Sequence, residues 1–386
     1  MIIHLVCGAR PNFMKIAPLY HALKKELWAE PVIVHTGQHY DSNMSDAIFE
    51  DLGLPQPHIH LGVGSGSHAE QTAKVMMAYE KVVRDRTPDL VVVVGDVNST
   101  VAATLVASKL GIKVAHLEAG LRSFDRRMPE EINRLVTDVL ADMLWTPSED
   151  AVENLRKEGI SREKIYSVGN IMIDSLEMLR AKIESQQTYV TFGLERGGYG
   201  VVTLHRPSNV DDPAVLKTVS GLLADISEMM PLVFPVHPRT RAKLDESGLL
   251  AQLKKCKQLF LPEPLNYVRF MNLVFNCRLV ITDSGGIQEE TSYLGIPCLT
   301  VRENTERPVT LTHGTNRLCK LADLKAMTDE IVGSRATRHT KIDQWDGRTA
   351  DRIVALLRNQ ASEAEVRNAR SVQVDSRVLD RIPLGS

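Results

Sequence analysis

No apolar run in the 386-residue chain approaches the roughly 18 to 20 residues that a membrane-spanning helix needs. The opening MIIHLVCGAR reads as a strand and a loop rather than the basic-then-apolar pattern of a secretion signal, so the expected location is the cytoplasm, away from any membrane. Long Lys or Arg runs are missing too, and the formal net charge is -2. That balance speaks against an extended nucleic-acid footprint and fits a small anionic ligand in a local basic pocket. Cys7, Cys256, Cys277, Cys298 and Cys319 form no CxxC pair or Cys/His cluster, so free thiols are expected, with neither a structural disulfide nor a metal site. The last four are spaced 21 residues apart without matching flanks, and each is read as standing at or near the start of a strand. Neither GxGxxG nor GxxxxGK(S/T) is present, which disfavours NAD and ATP, and no cofactor is expected.

What is present is a series of short apolar runs between helix-like stretches: residues 2–6, 31–34, 90–94, 114–117, 201–204, 232–236, 279–282 and 298–301. Nearly unbroken apolar runs alternating with helices are what a parallel sheet covered on both faces requires, so the class is α/β. Two blocks of such units meet around residues 170–197. The division expected is 1–172, carrying the acidic residues and Arg10/Lys15, 173–348, and a helix and tail over 349–386, with the helix returning to the first domain. In open α/β sheets ligands bind beyond the carboxyl ends of strands. That rule selects the turns at Cys7 to Arg10, Gly95 and Asp96, His205 and Arg206, and Asp283 to Gly286.

The run Asp283 to Glu290 sits between an apolar strand and a helix. Gly285 and Gly286 let backbone N–H groups approach an anion, Ser284 adds a hydroxyl, and the helix start adds partial positive charge. Ordinary capping by Asp283 or Ser284 is the competing reading. Glu290, one turn in, suits ribose hydroxyls, or else is a solvated helix charge. Arg10 and Lys15 flank the start of the first helix, as anion ligands or as plain surface cations. Asp96, Glu118 and Glu131 offer acid and base on opposite faces of one carbon, against the alternative of salt bridges or caps, which is the reading taken for Glu130. His205, Arg206 and His237 share one sheet edge and suit a diphosphate leaving group. Arg307 adds a cation, or forms an exposed loop ion pair.

Taken together, GARPNFMK, GDVNST, HLEAGLRS, PEEINR, HRPSN, PVHPRTR, TDSGGIQEE and ENTERP resemble, in order and over nearly the whole chain, the non-hydrolysing UDP-N-acetylglucosamine 2-epimerase family. The resemblance implies two facing Rossmann-like domains with parallel sheets, GT-B-like, with the active site in the interdomain cleft and UDP gripped mainly by the second domain. It implies catalytic Asp96, Glu118, Glu131 and His205, and substrate contacts from Arg10, Lys15, Ser284, Gly285, Gly286, Glu290 and Arg307. It implies reversible epimerisation at C2 of a UDP-sugar by elimination and re-addition of UDP, and a homodimer. Gln38 and His39 match a segment where some members bind an activating second substrate, although Tyr40 and Asp41 differ from the usual pair. Many members carry a glutamate soon after the His-Arg pair, where this chain has Pro207, Ser208 and Asn209. The competing functions are a hydrolysing 2-epimerase, an epimerase of a diacetamido sugar nucleotide, a glycosyltransferase of the same fold, and a binding protein without activity.

Overall fold

Val91 to Val94 are almost wholly buried, with Val92 and Val94 facing one hydrophobic cluster and Val91 and Val93 another. This two-sided burial explains the unbroken valine run and recurs across two all-parallel sheets. The computed structural model describes residues 1–8, 10–37, 49–334 and 341–362, and of Arg10 only the backbone. The first sheet comprises β1 (Ile2–Cys7), β2 (Glu30–His35), β3 (Ile59–His60), β4 (Leu90–Val94), β5 (Lys113–Leu117), β6 (Met143–Thr146) and β7 (Ile165–Ser167). Their order is β3-β2-β1-β4-β5-β6-β7. The second comprises β8 (Gly200–Thr203), β9 (Leu232–Val233), β10 (Leu259–Phe260), β11 (Leu279–Thr282), β12 (Cys298–Thr300) and β13 (Asn316–Leu318). Its order, β10-β9-β8-β11-β12-β13, reverses direction in the same manner. Each sheet therefore has a switch point, between β1 and β4 in one and between β8 and β11 in the other, where crevices open beyond the strand ends.

Every apolar run read from the sequence contains a strand, but β3, β6, β7, β10 and β13 were not anticipated. β3 and β10 are two residues long and β7 is only partly buried, so none of these carries an extended apolar signal. β9 is shorter than the run that announced it, because Pro235 has no N–H to give to the ladder. All five cysteines are free thiols. Cys277 and Cys298 lie at strand starts as expected and Cys256 just ahead of β10, whereas Cys319 follows the end of β13, so the even spacing reflects no common structural position.

The helix Ile171–Glu184 joins the halves. Asn170 caps it by accepting from Met172 N at 2.9 Å, and Ser175 donates from Oγ to the carbonyl of Met14. Ile171, Leu176 and Ile183 belong to one hydrophobic cluster with Phe13 and Leu19 of the first half and Met271 and Ile287 of the second. The helix over 349–362 packs on the first half. Asp174 accepts from Thr349 N at 3.1 Å and Ala350 N at 2.8 Å, and Arg358 pairs with Glu26 at 2.6 Å. Its Ile353 and Leu357 are fully buried, contributing roughly 1.5–3 kcal/mol each. Among the described residues no helix is long and apolar enough to cross a membrane.

Candidate functional site

The loops at the two switch points carry most of the residues singled out in the sequence. Gly95 follows β4 with φ +65°, and a Cβ there would lie 3.3 Å from Lys15 Nζ and 3.7 Å from both Asn12 Nδ2 and Glu118 Oε2. A side chain at that position would be strained and would crowd the lysine. Lys15, from the helix Arg10–Lys24, reaches Glu118 Oε2 at 2.5 Å, while Glu118 Oε1 is buried without a hydrogen-bond partner among the described residues. Glu118 adopts a left-handed backbone, φ 72°, a strain of about 1–3 kcal/mol for a non-glycine residue. Arg10 opens its helix, and Gln38 and His39 lie outside the described residues.

The other two carboxylates differ from Glu118 in their surroundings. Asp96 is 34% exposed and paired with Arg134. Glu131 is 2% exposed and accepts from Ser123 N at 2.9 Å, Ser123 Oγ at 3.0 Å, Phe124 N at 2.9 Å and Arg134 Nη2 at 2.7 Å. Burial alone would push its carboxyl up, but the Ser123 amide and Arg134 outweigh this and hold it below the usual range. Arg134 thus spans Asp96 and Glu131. Glu130 is exposed in the first turn of its helix, and the described residues show neither the salt bridge nor the cap expected of it.

In the second half, the buried Asp283 carboxylate accepts from His205 N at 3.0 Å, Arg206 N at 2.9 Å and Asn209 Nδ2 at 3.0 Å, and lies 3.1 Å from His205 Nδ1. Asn209 helps tie the β8 loop to the end of β11. Asp283 is committed to that loop, and Ser284, at the N-cap of the helix Gly285–Leu294, makes no side-chain capping bond. Capping therefore does not account for this sequence. His237 does cap a helix, accepting from Arg239 N at 3.3 Å, and its ring centroid lies 6.0 Å from that of His205.

Arg307 corrects the exposed-ion-pair reading. Its side chain is only 11% exposed, 2.8 Å from Glu289 Oε1 and 2.7 Å from Glu306 Oε1. Glu306 also meets Arg302 at 2.9 Å and Arg206 at 3.8 Å, so one carboxylate stands among three arginines and the cluster stays cationic. Despite burial, Arg307 and Arg302 hold the Glu306 carboxyl far below its ordinary value. A Cβ on Gly285 would lie 2.6 Å from Arg307 Nη1 and 2.8 Å from Glu306 Oε1, whereas one on Gly286 would meet nothing within 4 Å. The bare backbone of the helix start is thus pressed against the arginine on one side and open on the other, as an anion cradle requires. Glu290 is not solvated: it is buried and accepts from Tyr267 Oη at 2.7 Å, and burial, with Glu289 adding, pushes its carboxyl up to about 7.

The two sets of charges act on each other across the cleft. Burial raises the Glu289 carboxyl; Arg307 and Lys15 oppose this, and Glu118 from the first half adds to it. Glu118 likewise adds to the charges that favour protonated Arg307. Glu289, Glu306, Arg302, Arg134 and Tyr267 were not singled out from the sequence. All but Arg302 and Tyr267 lie inside quoted motifs, where they read as ordinary helix or loop polar residues.

A family model, UDP-N-acetylglucosamine 2-epimerase, matches residues 21–358. The chain is 42% identical to a UDP-N-acetylglucosamine 2-epimerase of Methanocaldococcus jannaschii over 364 residues, covering 92% of this chain and 99% of that one. It is 40% identical to a UDP-2,3-diacetamido-2,3-dideoxy-D-glucuronate 2-epimerase of Pseudomonas aeruginosa over 351 residues, covering 90% and 95%. The crystal structure of M. jannaschii UDP-GlcNAc 2-epimerase in complex with UDP-GlcNAc and UDP superimposes with a TM-score of 0.85 at 41% identity, covering 93% of this chain and 100% of that one. The motif order, the paired parallel sheets and these full-length matches agree: the chain belongs to the UDP-N-acetylglucosamine 2-epimerase family of enzymes.

Proposed function

We propose that the protein reversibly converts UDP-N-acetylglucosamine into UDP-N-acetylmannosamine by eliminating and re-adding UDP, without net hydrolysis. The observation that carries this reading is the half-paired Glu118, one oxygen on Lys15 and the other free, within electrostatic reach of Arg307 and Glu289 on the opposite wall. C2–H of a sugar is not acidic until the C1–O bond to UDP weakens. As that bond breaks its electron pair leaves with UDP, which the Ser284–Gly286 backbone, Arg307 and His205 stabilise. A carboxylate takes the C2 proton, the C1–C2 double bond forms, and the intermediate is 2-acetamidoglucal. Proton delivery to the other face of C2 and return of the UDP oxygen to C1 complete the inversion. Asp96, Glu118 and Glu131 divide the proton transfers. Glu118, with its free oxygen, suits a direct role, whereas the fully bonded Glu131 suits one that begins only when its partners shift. Glu290 and Tyr267 hold the ribose.

The P. aeruginosa relative supports a second substrate reading, a UDP-diacetamido sugar handled by the same chemistry. Incubation in deuterium oxide followed by proton NMR separates the possibilities. UDP-ManNAc bearing deuterium at C2 is expected from UDP-GlcNAc. Turnover of a diacetamido sugar nucleotide alone would move the substrate, and accumulation of free sugar and UDP would replace the non-hydrolysing reaction.

A further inference from the structure

His116 lies on β5, two residues before Glu118, and is fully buried. Its Nε2 is 2.8 Å from the carbonyl oxygen of Gly95, the residue before Asp96, and its Nδ1 is 2.5 Å from Asp138 Oδ1. Asp138 Oδ2 in turn accepts from Gly120 N at 3.0 Å and pairs with Arg122 at 2.7 Å, while Arg122 pairs with Glu158 at 2.7 Å. Asp138, Arg134 and Glu131 are all buried and lie on one face of the helix Pro129–Leu140, at spacings of four and three residues. A carbonyl oxygen only accepts, so Nε2 carries a hydrogen. A single ring, bonded at both nitrogens, thus joins the β4 loop that bears Asp96, the β5 loop that bears Glu118, and the helix that bears Glu131.

We propose that His116, held between Asp138 and the Gly95 carbonyl, is a positioning residue that fixes the three cleft carboxylates relative to one another. It touches no substrate. It acts through Gly95, whose left-handed backbone leaves room for Lys15, and through Asp138, which holds the Gly120 end of the Glu118 loop. Its consequence in rate rests on the epimerase reading, whereas the hydrogen bonds of the ring do not.

The test uses His116→Gln, which keeps a donor toward Gly95, and His116→Asn, which keeps one toward Asp138. Each is expected to lower the rate of C2 deuterium exchange in UDP-GlcNAc by about 100-fold, the size expected for small misplacements of reacting groups. The dissociation constant for UDP, held by the other half, is expected to stay within about 3-fold of the parent. In proton–nitrogen NMR of the ligand-free parent, the ring absent from both variants is expected to carry a slowly exchanging Nε2–H. Exchange rates within 3-fold of the parent would overturn the proposal, as would loss of UDP binding in step with rate, which marks general damage, or a ring whose Nε2 carries no hydrogen. A parent that does not turn over UDP-GlcNAc yet has the slowly exchanging Nε2–H would sink the substrate reading alone.

Discussion

Lys15 Nζ lies 2.5 Å from Glu118 Oε2, closing 103 residues of sequence and joining the first helix to the end of β5. The lysine is 12% exposed and the glutamate 4%, so the pair is weakly screened, and neither charge is readily left alone. The contact also orients the carboxylate. One oxygen is spoken for, and the other is presented unpartnered beside the arginine cluster of the facing half.

Lys15→Met is therefore expected to strand a buried charge. Urea unfolding should register a loss of about 3 kcal/mol, and kcat for C2 epimerisation should fall on the order of 100- to 1000-fold. A rate within a few-fold of the parent would remove Lys15 from the machinery.

The two glycines of the cradle should separate fold from binding. Gly285→Ala drives a methyl into Arg307 and Glu306 and should lower both thermal stability and UDP affinity. Gly286→Ala meets no protein atom and gains helix propensity, so its melting temperature should hold or rise. If the open side is where phosphate sits, UDP affinity should nonetheless fall at least about 10-fold, or roughly 1.4 kcal/mol, by calorimetry.

Arg134→Lys keeps the charge but cannot span two carboxylates as a planar fork does. Glu131 loses a bond and Asp96 its fixed partner, so kcat should fall about 10- to 100-fold with a stability loss of about 2 kcal/mol. Parallel steady-state kinetics and melts check both.

Glu290 sets a pH dependence whose sign is opposite to that of a salt-bridged acid. Burial raises its folded-state value from 4.5 to about 7, so between those pH values the folded chain binds more protons than the unfolded one. The stabilisation is complete below pH 4.5 and declines until pH passes about 7. The difference in unfolding free energy between the parent and Glu290→Gln should shift by about 3 kcal/mol from pH 4.5 to pH 8, the parent losing ground as pH rises. Urea midpoints that move in parallel over this range would contradict the assignment.

Much of this site was legible because its residues follow long apolar strands. β1, β4, β8 and β11 are buried on both faces, so their carboxyl ends, and with them Lys15, Asp96, His205 and Ser284, stand out against valine-rich runs. Short edge strands such as β10 and β13 offer too few residues to form a pattern. Pairings made through space were invisible for a different reason. Nothing local distinguishes the buried Glu289 from a solvated helix charge, or reveals that Glu306 is shared by Arg302, Arg307 and the sequence-distant Arg206. Periodicity does not carry such information, because those contacts arise only when separate loops meet beyond two sheets.

The helix over 349–362 has a consequence for the order in which the molecule is made. Its Ile353 and Leu357 fill the same hydrophobic cluster as Leu5, Ile16 and Leu19, and Arg358 pairs with Glu26. On the ribosome the amino-terminal sheet emerges first, yet it lacks a wall of its interior until the second sheet and the helix over 349–362 have followed. The half synthesised first is therefore finished last, and its apolar flank must be kept from neighbouring chains while the second half folds.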